Sequence, residues 1–239
     1  MKITTILFDL DGTLLPMDQE NFIKAYFGAL AKKLAPHGYE PKTLLDTIWK
    51  GTGAMVKNNG TKLNCEVFWD VFVSVYGEKG EHDSYLFDEF YEQDFDRDVR
   101  VSCGYNENAS WAIKQIKDMG FRVALATNPL FPSSATMSRI KWAGLDREDF
   151  ELITTYDNSR HCKPNLDYYR DIMSELGVSP EECLMVGNDV GEDMIAEKLG
   201  MRVYLLPGDL INKQGVDISM YPNGDLCSLV EYTKTINKE

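Results

Sequence analysis

The order of apolar and polar positions divides the chain into a helical stretch and a stretch in which strands alternate with helices. A short apolar run, residues 3–8, predicts a strand near the N-terminus. From Asp18 to about Phe95, helix-forming and aromatic residues recur between breaks rich in glycine, proline and asparagine. The pattern predicts helices near 19–35, 42–57, 64–76 and 83–95, with no strand among them.

After Val101 the pattern changes. Strands are predicted at 121–126, 151–155, 183–186 and 202–206, and helices at 108–119, 132–143, 165–176, between residue 186 and Gly200, and from Leu226 onward. Strands that alternate with such helices imply parallel units with right-handed connections. We therefore expect an α/β protein with a doubly wound parallel sheet. Residues 1–16 and 99–239 would form its core domain, and residues 17–98 an all-helical domain inserted after the first strand.

Polar side chains follow the predicted strands, at the edge where open α/β sheets place their sites. They are Asp9 and Asp11 after the first strand, Thr127 and Asn128 after the second, Lys163 in the loop after the third, and Asp189 and Asp193 after the fourth. Residues i and i+2 of a strand point to the same side, so Asp9 and Asp11 can converge on one point. Two carboxylates there repel each other unless a cation lies between them or one is protonated.

Each fragment alone has a structural explanation, as a turn, a solvated lysine or a helix cap. Together they supply the parts of a phosphoryl-transfer site. Asp9, Asp11 and Asp189 offer hard oxygen ligands of the kind that Mg²⁺ prefers. Thr127 offers a hydroxyl, and Lys163 offers a positive charge, for phosphate oxygens.

Four motifs resemble, in their order, those of the haloacid dehalogenase (HAD) superfamily of hydrolases. They are Asp9-x-Asp11-Gly12-Thr13, Thr127-Asn128, Lys163-Pro164 and Asp189-x-x-x-Asp193. The resemblance covers residues 3 to about 206, and the helical insert resembles the C1 cap of that family. It implies a Rossmann-like core with a substrate-selecting cap. The implied activity is a Mg²⁺-dependent phosphatase that hydrolyses a small phosphorylated metabolite.

The resemblance also implies roles for the residues that match the motifs. Asp9 would be the nucleophile that forms an aspartyl-phosphate, and Asp11 would be the acid and then the base. Asp9 would also contact the metal, and Asp11 would do so through its backbone carbonyl. Thr127, Asn128 and Lys163 would bind the phosphorylated substrate, with Thr127 and Lys163 holding the transferred group.

The fourth motif departs from the family pattern, in which glycine and aspartate are often adjacent. Here Asn188 stands between Gly187 and Asp189. One alignment makes Asp189 the metal ligand and Asp193 a second ligand or an acceptor beside it. The other places Asn188 and Glu192 in those positions. The anionic oxygen favours the first alignment, and both stay open at this point.

Substrate recognition is expected in the insert. Lys50 and Lys57 lie among glycines in an otherwise acidic region, which favours a substrate-reading loop or, alternatively, a solvated turn between helices. The aromatic residues of the insert are interpreted as core rather than as a platform for a ligand. They are Tyr26, Phe27, Trp49, Phe68, Trp69, Phe72, Tyr76, Phe87, Phe90 and Tyr91.

Composition restricts the partners and the compartment. The net charge of −13 argues against nucleic-acid and anionic-membrane partners, which both require basic surfaces. The five cysteines lack zinc-type spacing, the N-terminal apolar run is too short for a secretory signal, and no segment reaches membrane-spanning length. We expect a soluble cytoplasmic protein with reduced thiols.

Two other functions stay open. A phosphomutase or phosphotransferase on the same scaffold would pass the phosphoryl group to a hydroxyl rather than to water. A non-catalytic module that binds phosphometabolites would keep the fold without turnover, although the complete set of motif residues argues against it. A dehalogenase is disfavoured, because that branch of the family typically lacks a second aspartate such as Asp11.

Overall fold

A parallel sheet lies at the centre of the fold. The computed structural model describes residues 2–238, so Met1 and Glu239, the outermost residues of the predicted core domain, lie outside the described residues. Within residues 2–238 the sheet has four strands in the order β2-β1-β3-β4. They are β1 (Thr5–Phe8), β2 (Arg122–Leu125), β3 (Cys183–Gly187) and β4 (Arg202–Leu205). The predicted α/β class with a parallel sheet is confirmed.

The strand β1 pairs with β2 on one side and β3 on the other. Phe8, at its end, aligns with Leu125 of β2 and with Val186 of β3. All residues of β1 and of β3 are buried, as expected when other elements cover both faces of a parallel sheet. Because the strands run in one direction, their carboxyl ends lie at one edge of the sheet, where the chain delivers its polar motifs.

Residues 19–99, all within the described range, form helices and turns without a strand. The helices are α1 (Gln19–Leu34), α2 (Pro41–Val56), α3 (Asn64–Tyr76), α4 (Glu78–His82), α5 (Tyr85–Glu89) and α6 (Phe95–Val99). The start of α1 follows from its sequence, because the side chain of Asp18 accepts the backbone N–H of Asn21. The first three helices match the predicted positions to within a residue or two.

The helix predicted over 83–95 is split. A wide turn of π geometry, Phe90–Asp94, separates α5 from α6, and the N–H of Phe95 donates to the carbonyl oxygen of Phe90. Phe90, Tyr91 and Phe95 are all buried. A π turn places residues i and i+5 on nearly the same face, so it brings Phe95 closer to the face of Phe90 than a regular α-helix would, in which they lie about 140° apart.

Four longer helices lie outside the insert: α7 (Glu107–Asp118), α8 (Ser133–Trp142), α9 (Leu166–Leu176) and α10 (Leu226–Thr235). Alternate residues of β1 enter two apolar clusters, since successive side chains of a strand point to opposite faces. Ile6 and Phe8 join the cluster that contains residues of α7, α8, α10 and the insert. Leu7 joins a second cluster that contains residues of α9. The sheet is therefore covered on both faces.

Two predicted elements take another form. Residues 151–155 form a single parallel bridge, between Ile153 and Leu125, rather than a full strand. They still pair with β2 through the backbone, since the N–H of Glu151 donates to the carbonyl oxygen of Val123 at 2.8 Å and the N–H of Thr154 donates to that of Leu125 at 3.1 Å. The pairing ends at Thr155, whose N–H donates to Oδ1 of Asn158 at 2.8 Å.

The helix predicted between residue 186 and Gly200 is a turn followed by a short 3₁₀ helix, Met194–Leu199. Oδ1 of Asp189 accepts the backbone N–H groups of its own turn, and the hydroxyl of Tyr169 donates to the carbonyl oxygen of Glu192 at 2.6 Å. That carbonyl is therefore drawn to a side chain instead of continuing an α-helical ladder.

The insert packs directly against the rest of the chain. The rings of Phe95 and Trp142 stack at 5.0 Å between centres, and the indole N–H of Trp142 donates to Asp96 at 2.5 Å. At the start of α3, the backbone N–H of Asn64 donates to the carbonyl oxygen of Ser159 at 2.8 Å. These contacts hold the helices over the carboxyl edge of the sheet.

Among the helices of residues 2–238, none combines the length and the apolar character required to cross a lipid bilayer.

Candidate active site

The first motif forms a tight turn after β1. Backbone N–H groups of residues 13–15 donate to the carbonyl oxygen of Leu10. Gly12 lies at φ 80°, a left-handed conformation that glycine adopts without strain. The turn brings Thr13 back toward Asp9, and the hydroxyl of Thr13 donates to Oδ2 of Asp9 at 3.1 Å. One oxygen of the Asp9 carboxylate is thereby held in a fixed direction.

A buried lysine joins the first and fourth motifs. Nζ of Lys163 donates to Oδ1 of Asp9 at 2.8 Å and to Oδ1 of Asp193 at 2.6 Å. All three side chains are buried, so water screens these charges little. Burial disfavours the ammonium ion, but the carboxylates of Asp193 and Asp9 outweigh that effect and hold the pKa of Lys163 well above its usual range. The lysine therefore stays charged between the two acids.

Asp11 is paired with an arginine. Nη1 of Arg139, on α8, donates to Oδ2 of Asp11, and the guanidinium lies 4.6 Å from the ring centre of Phe131. The side chain of Arg139 is only 1% exposed. Burial raises the pKa of the Asp11 carboxyl, and the charge of Arg139 opposes that rise. Asp11 thus holds a proton more readily than a surface aspartate, as a general acid requires.

The second motif connects the end of β2 to the third motif. The carbonyl oxygen of Thr127 accepts the hydroxyl of Tyr168 at 2.8 Å, which fixes the backbone where the strand ends. Oδ1 of Asn128 accepts the backbone N–H of Lys163 at 3.2 Å. The position of the buried lysine therefore depends on Asn128 as well as on the two carboxylates.

Three polar residues of the fourth motif have different partners. Oδ1 of Asn188 lies 3.1 Å from the hydroxyl of Thr13 and shares its single proton with Asp9, and the amide of Asn188 donates to the carbonyl oxygen of Asp209 at 2.6 Å. Oδ1 of Asp189 accepts two N–H groups of its own turn, at 2.7 and 3.0 Å. Oδ2 of Asp193 accepts the backbone N–H of Asp189 at 3.0 Å. Asn188 thus supports the first motif, and Asp193 supports the lysine.

One cavity of about 370 Å³ opens from these groups. The predicted site residues that line it are Asp9, Asp11, Thr127, Asn128, Asp189 and Asp193, together with the alternative pair Asn188 and Glu192. Lys163 contacts Asp9 from the buried side. Lys50 and Lys57 are exposed, and neither is among the described residues that line the cavity. The structure thus brings the motif residues together and leaves the two lysines of the insert outside.

Most of the remaining lining is aromatic. Eight of the insert's aromatic residues line the cavity: Phe22, Tyr26, Phe27, Trp49, Phe68, Trp69, Phe87 and Tyr91. Phe131 and Tyr156 add two more rings. The interpretation of the insert's aromatic residues as core is therefore incomplete, because many of them border this space as well.

Sequence reasoning missed Arg139 and the aromatic lining. Arg139 lies in a helix where an arginine is ordinarily exposed, and nothing near it in sequence indicates a partner 128 residues away. A signal for the lining did exist, since the aromatic residues are concentrated in the stretch inserted directly after the first motif.

The oxygen atoms of the site suit a magnesium ion. Oδ1 of Asp11 is buried and has no hydrogen-bond partner among the described residues, and Asp9 and Asp189 line the same cavity. Residues 2–238 hold no cluster of three or more carboxylate, imidazole or thiol side chains that could bind a metal alone. Mg²⁺ is commonly held by one or two carboxylates with water and substrate phosphate, so this donor set fits it.

Comparisons with known proteins agree with this arrangement. A family model for haloacid dehalogenase-like hydrolases matches residues 3–198. Pyrophosphatase PpaX of Halalkalibacterium halodurans is 24% identical over 235 residues, which cover 96% of this chain and 98% of the relative.

Solved structures share the fold. An HAD phosphatase from Thermococcus onnurineus superposes with a TM-score of 0.59 at 18% identity, over 99% of this chain and 100% of that one. A predicted phosphoglycolate phosphatase from Haemophilus somnus 129pt superposes with a TM-score of 0.60 at 16% identity, over 98% of this chain and 99% of that one. At these identities the likeness establishes the architecture and not the substrate.

Gly187 gives a first test of how the site is packed. A methyl group on Gly187 would overlap the carboxyl of Asp193. We expect Gly187→Ala to displace Asp193 from Lys163 and to lower the free energy of unfolding by about 1–3 kcal/mol in urea denaturation. The matched control is Gly28→Ala in α1, where an added Cβ meets nothing within 4 Å. Equal stability of the two variants would contradict this packing.

The pairing of Asp11 with Arg139 gives a second test. We expect Arg139→Met to lower the free energy of unfolding by about 3–5 kcal/mol, because it leaves the partly buried Asp11 carboxylate unpaired. Methionine keeps most of the side-chain volume of the arginine. In the double variant with Asp11→Asn the penalty should fall short of the sum of the single changes by about 1–3 kcal/mol. Urea denaturation of the four proteins measures this coupling, and strict additivity would show that the two groups do not interact.

Proposed function

This chain belongs to the haloacid dehalogenase-like hydrolase family, and we propose that it is a Mg²⁺-dependent phosphatase. Its substrate would be a small phosphorylated metabolite, hydrolysed through an aspartyl-phosphate on Asp9. The observation that carries the proposal is the Asp9 carboxylate, held between Lys163 and Thr13 at the end of β1 and open to the cavity. We retain the expectation that the enzyme acts in the cytoplasm.

The first step transfers the phosphoryl group to the enzyme. A carboxylate oxygen of Asp9 attacks phosphorus while the bond from phosphorus to the alcohol oxygen breaks. The carboxyl of Asp11 gives its proton to the departing oxygen, so the alcohol leaves neutral. Burial of Asp11, which raises the pKa of its carboxyl, supports this role.

The second step releases phosphate. Water attacks the phosphorus of the aspartyl-phosphate, its proton passes to the Asp11 carboxylate, and the bond from phosphorus to the Asp9 oxygen breaks. Both residues return to their starting states. Arg139 would act as a positioning residue here, because its ion pair orients Asp11 without reaching the reacting atoms.

Three residues are proposed to hold the transferred group. The hydroxyl of Thr127 and the amide of Asn128 would donate to phosphate oxygens, and Lys163 would supply a fixed positive charge. Support comes from the burial of Thr127 and Lys163 and from the bond between Asn128 and the lysine backbone. Groups fixed in this way need no rearrangement when charge develops on the phosphoryl oxygens.

Mg²⁺, when bound, would neutralise negative charge on the phosphoryl oxygens and favour their approach to a carboxylate. The proposed ligands are the carboxylates of Asp9 and Asp189 and the backbone carbonyl oxygen of Asp11. Asp193 is proposed as the acceptor that steadies Lys163 and the Asp189 backbone, on the strength of its two hydrogen bonds. Asn188 would support the turn of the first motif.

Residues 17–98 are proposed to form a cap domain over a core domain of residues 1–16 and 99–239. Helices α1 to α5 lie within the insert, α6 ends one residue beyond it, and the four strands all lie outside it. The insert also supplies much of the cavity lining. A cap that excludes water would strengthen the electrostatic interactions beneath it. Lys50 and Lys57 remain proposed substrate contacts only for a cap position in which they reach the cavity.

Replacing the nucleophile tests the mechanism. We expect Asp9→Asn to lower kcat by about three orders of magnitude or more on any phosphate monoester that the wild-type enzyme hydrolyses with Mg²⁺, because the covalent step is lost. The matched control is Asp118→Asn, an exposed aspartate in a surface ion pair, for which we expect unchanged kcat. Beryllofluoride should give a bound ¹⁹F signal in the wild-type protein and none in Asp9→Asn.

Near-normal turnover of Asp9→Asn would contradict the covalent mechanism. No hydrolysis by the wild-type protein, with ligand binding retained, would favour the non-catalytic module. Transfer of the phosphoryl group to an added alcohol in preference to water would favour the phosphotransferase alternative.

A magnesium titration tests the fourth motif. We expect Asp189→Ala to raise the Mg²⁺ concentration for half-maximal activity by about tenfold or more, and Asn188→Ala to raise it much less. The reason is that a carboxylate binds a hard dication better than an amide does. Urea denaturation of both variants controls for lost stability, since Asn188 is buried and hydrogen-bonded. A larger shift for Asn188→Ala than for Asp189→Ala would favour the alignment that places Asn188 and Glu192 in the fourth motif.

A further inference from the structure

The cavity beside Asp9 differs in character along its length. Its base is lined by carboxylates, among them those of Asp9 and Asp189, and Lys163 pairs with Asp9 from the buried side. Most of the remaining wall consists of rings from α1, α2, α3, α5 and the turn after α5, and from the segments after β2, with aliphatic side chains such as Ile48 and Leu130 among them. A phosphate monoester bound with its phosphorus at Asp9 must place its alcohol half among these rings.

We infer that the substrate is a phosphate monoester whose alcohol half carries an uncharged aromatic or heteroaromatic ring. The inference rests on the proposed phosphatase function and names its substrate class. A flat ring fills an aromatic cavity with large contact area and gains further from edge-to-face and offset-stacked geometry. The volume of about 370 Å³ lies in the range of small-molecule pockets.

Charge argues against a second anionic group on the substrate. The two buried cations at the base are already paired, Lys163 with Asp9 and Asp193, and Arg139 with Asp11. Among the described residues that line the cavity, Lys213 is the one basic side chain, and it is exposed. A second phosphate or a carboxylate among the rings would lose its hydration without a buried cation to replace it.

The polar groups on the aromatic wall are neutral. The hydroxyls of Tyr26 and Tyr91 bond to each other at 2.7 Å, so this part of the wall presents no charge. Burial raises the pKa of Tyr26 to about 12, which keeps its phenol protonated. Thr52 borders the cavity and can exchange hydrogen bonds with a hydroxyl or carbonyl group of an uncharged substrate.

Trp49 is the ring best placed to respond to the substrate. It lines the cavity yet is 50% exposed, and its ring meets Phe27 edge to face at 5.3 Å between centres. A large ring that remains half exposed at a cavity gains most when a ligand covers it. Two substrate classes suggested by the names of similar proteins, pyrophosphate and phosphoglycolate, offer no ring for it.

The inference is tested with four probes on the full-length protein with Mg²⁺. Benzyl phosphate carries its ring next to the ester, thymidine 5′-monophosphate carries it beyond a sugar, and pyrophosphate and 2-phosphoglycolate carry none. We expect kcat/KM for at least one ring-bearing monoester to exceed both ringless values by about tenfold or more. Whichever of benzyl phosphate and thymidine 5′-monophosphate has the higher kcat/KM shows whether the ring lies next to the ester or beyond a sugar. An equal or higher kcat/KM for a ringless probe would overturn the inference.

Matched tryptophan variants locate the effect. Trp49→Ala should lower kcat/KM for the preferred ring-bearing probe by about tenfold, mainly through KM, because ring contact is lost without touching the chemistry. Trp111 lies on α7, is 40% exposed and is not part of the cavity lining. Trp111→Ala removes a comparable ring and should leave kcat/KM unchanged. Equal effects of the two variants would also overturn the inference.

Binding to the Asp9→Asn protein separates this inference from the proposed function. If the wild-type protein hydrolyses none of the probes, the phosphatase proposal fails. Calorimetry with Asp9→Asn still decides the ligand class, since the ring-bearing monoester should then bind about tenfold more tightly than inorganic phosphate. Equal affinities would show that the cavity does not recognise a ring.

Discussion

The buried charge of Lys163 is the constraint on which the rest of the site depends. Asp9 follows β1 and Asp193 follows the neighbouring strand β3, so the parallel sheet brings two acids together at one edge. Buried carboxylates this close repel each other unless a cation lies between them. Lys163 comes from a third segment and supplies that cation. The close fit of Asp193 also requires a residue without a side chain at Gly187.

The sheet could be predicted from the sequence because its strands are short apolar runs, buried on both faces, each followed by a turn. The helices of the insert could be predicted because glycine, proline and asparagine mark their ends. The helix predicted after β3 failed for a physical reason. The turn after Asp189 is shaped by hydrogen bonds to side chains, among them the hydroxyl of Tyr169. Local periodicity carries no information about such partners.

Part of the candidate site could be predicted from the sequence, and part of it could not. Its acidic groups and the lysine follow strand ends, and the topology of a parallel sheet places such residues at one edge. Whether a residue of the insert reaches the cavity depends on which face of its helix it occupies. In α2, Trp49 and Thr52 are three residues apart and line the cavity together, whereas Lys50 lies on another face and is exposed. A lysine in sequence is therefore weaker evidence of recognition than its position on the helix.

The aromatic wall and the ionic base of the cavity act on each other. Rings that exclude water lower the local dielectric, which strengthens the attraction of Lys163 for negative charge and keeps the Asp11 carboxyl protonated more readily. The same rings make a second charge on the substrate unfavourable, because its hydration would not be replaced. Under the proposed function, the environment that favours phosphoryl transfer at the base would also select an uncharged leaving group above it. Specificity and catalysis would then have one physical origin, the burial of a small set of paired charges beneath an apolar cap.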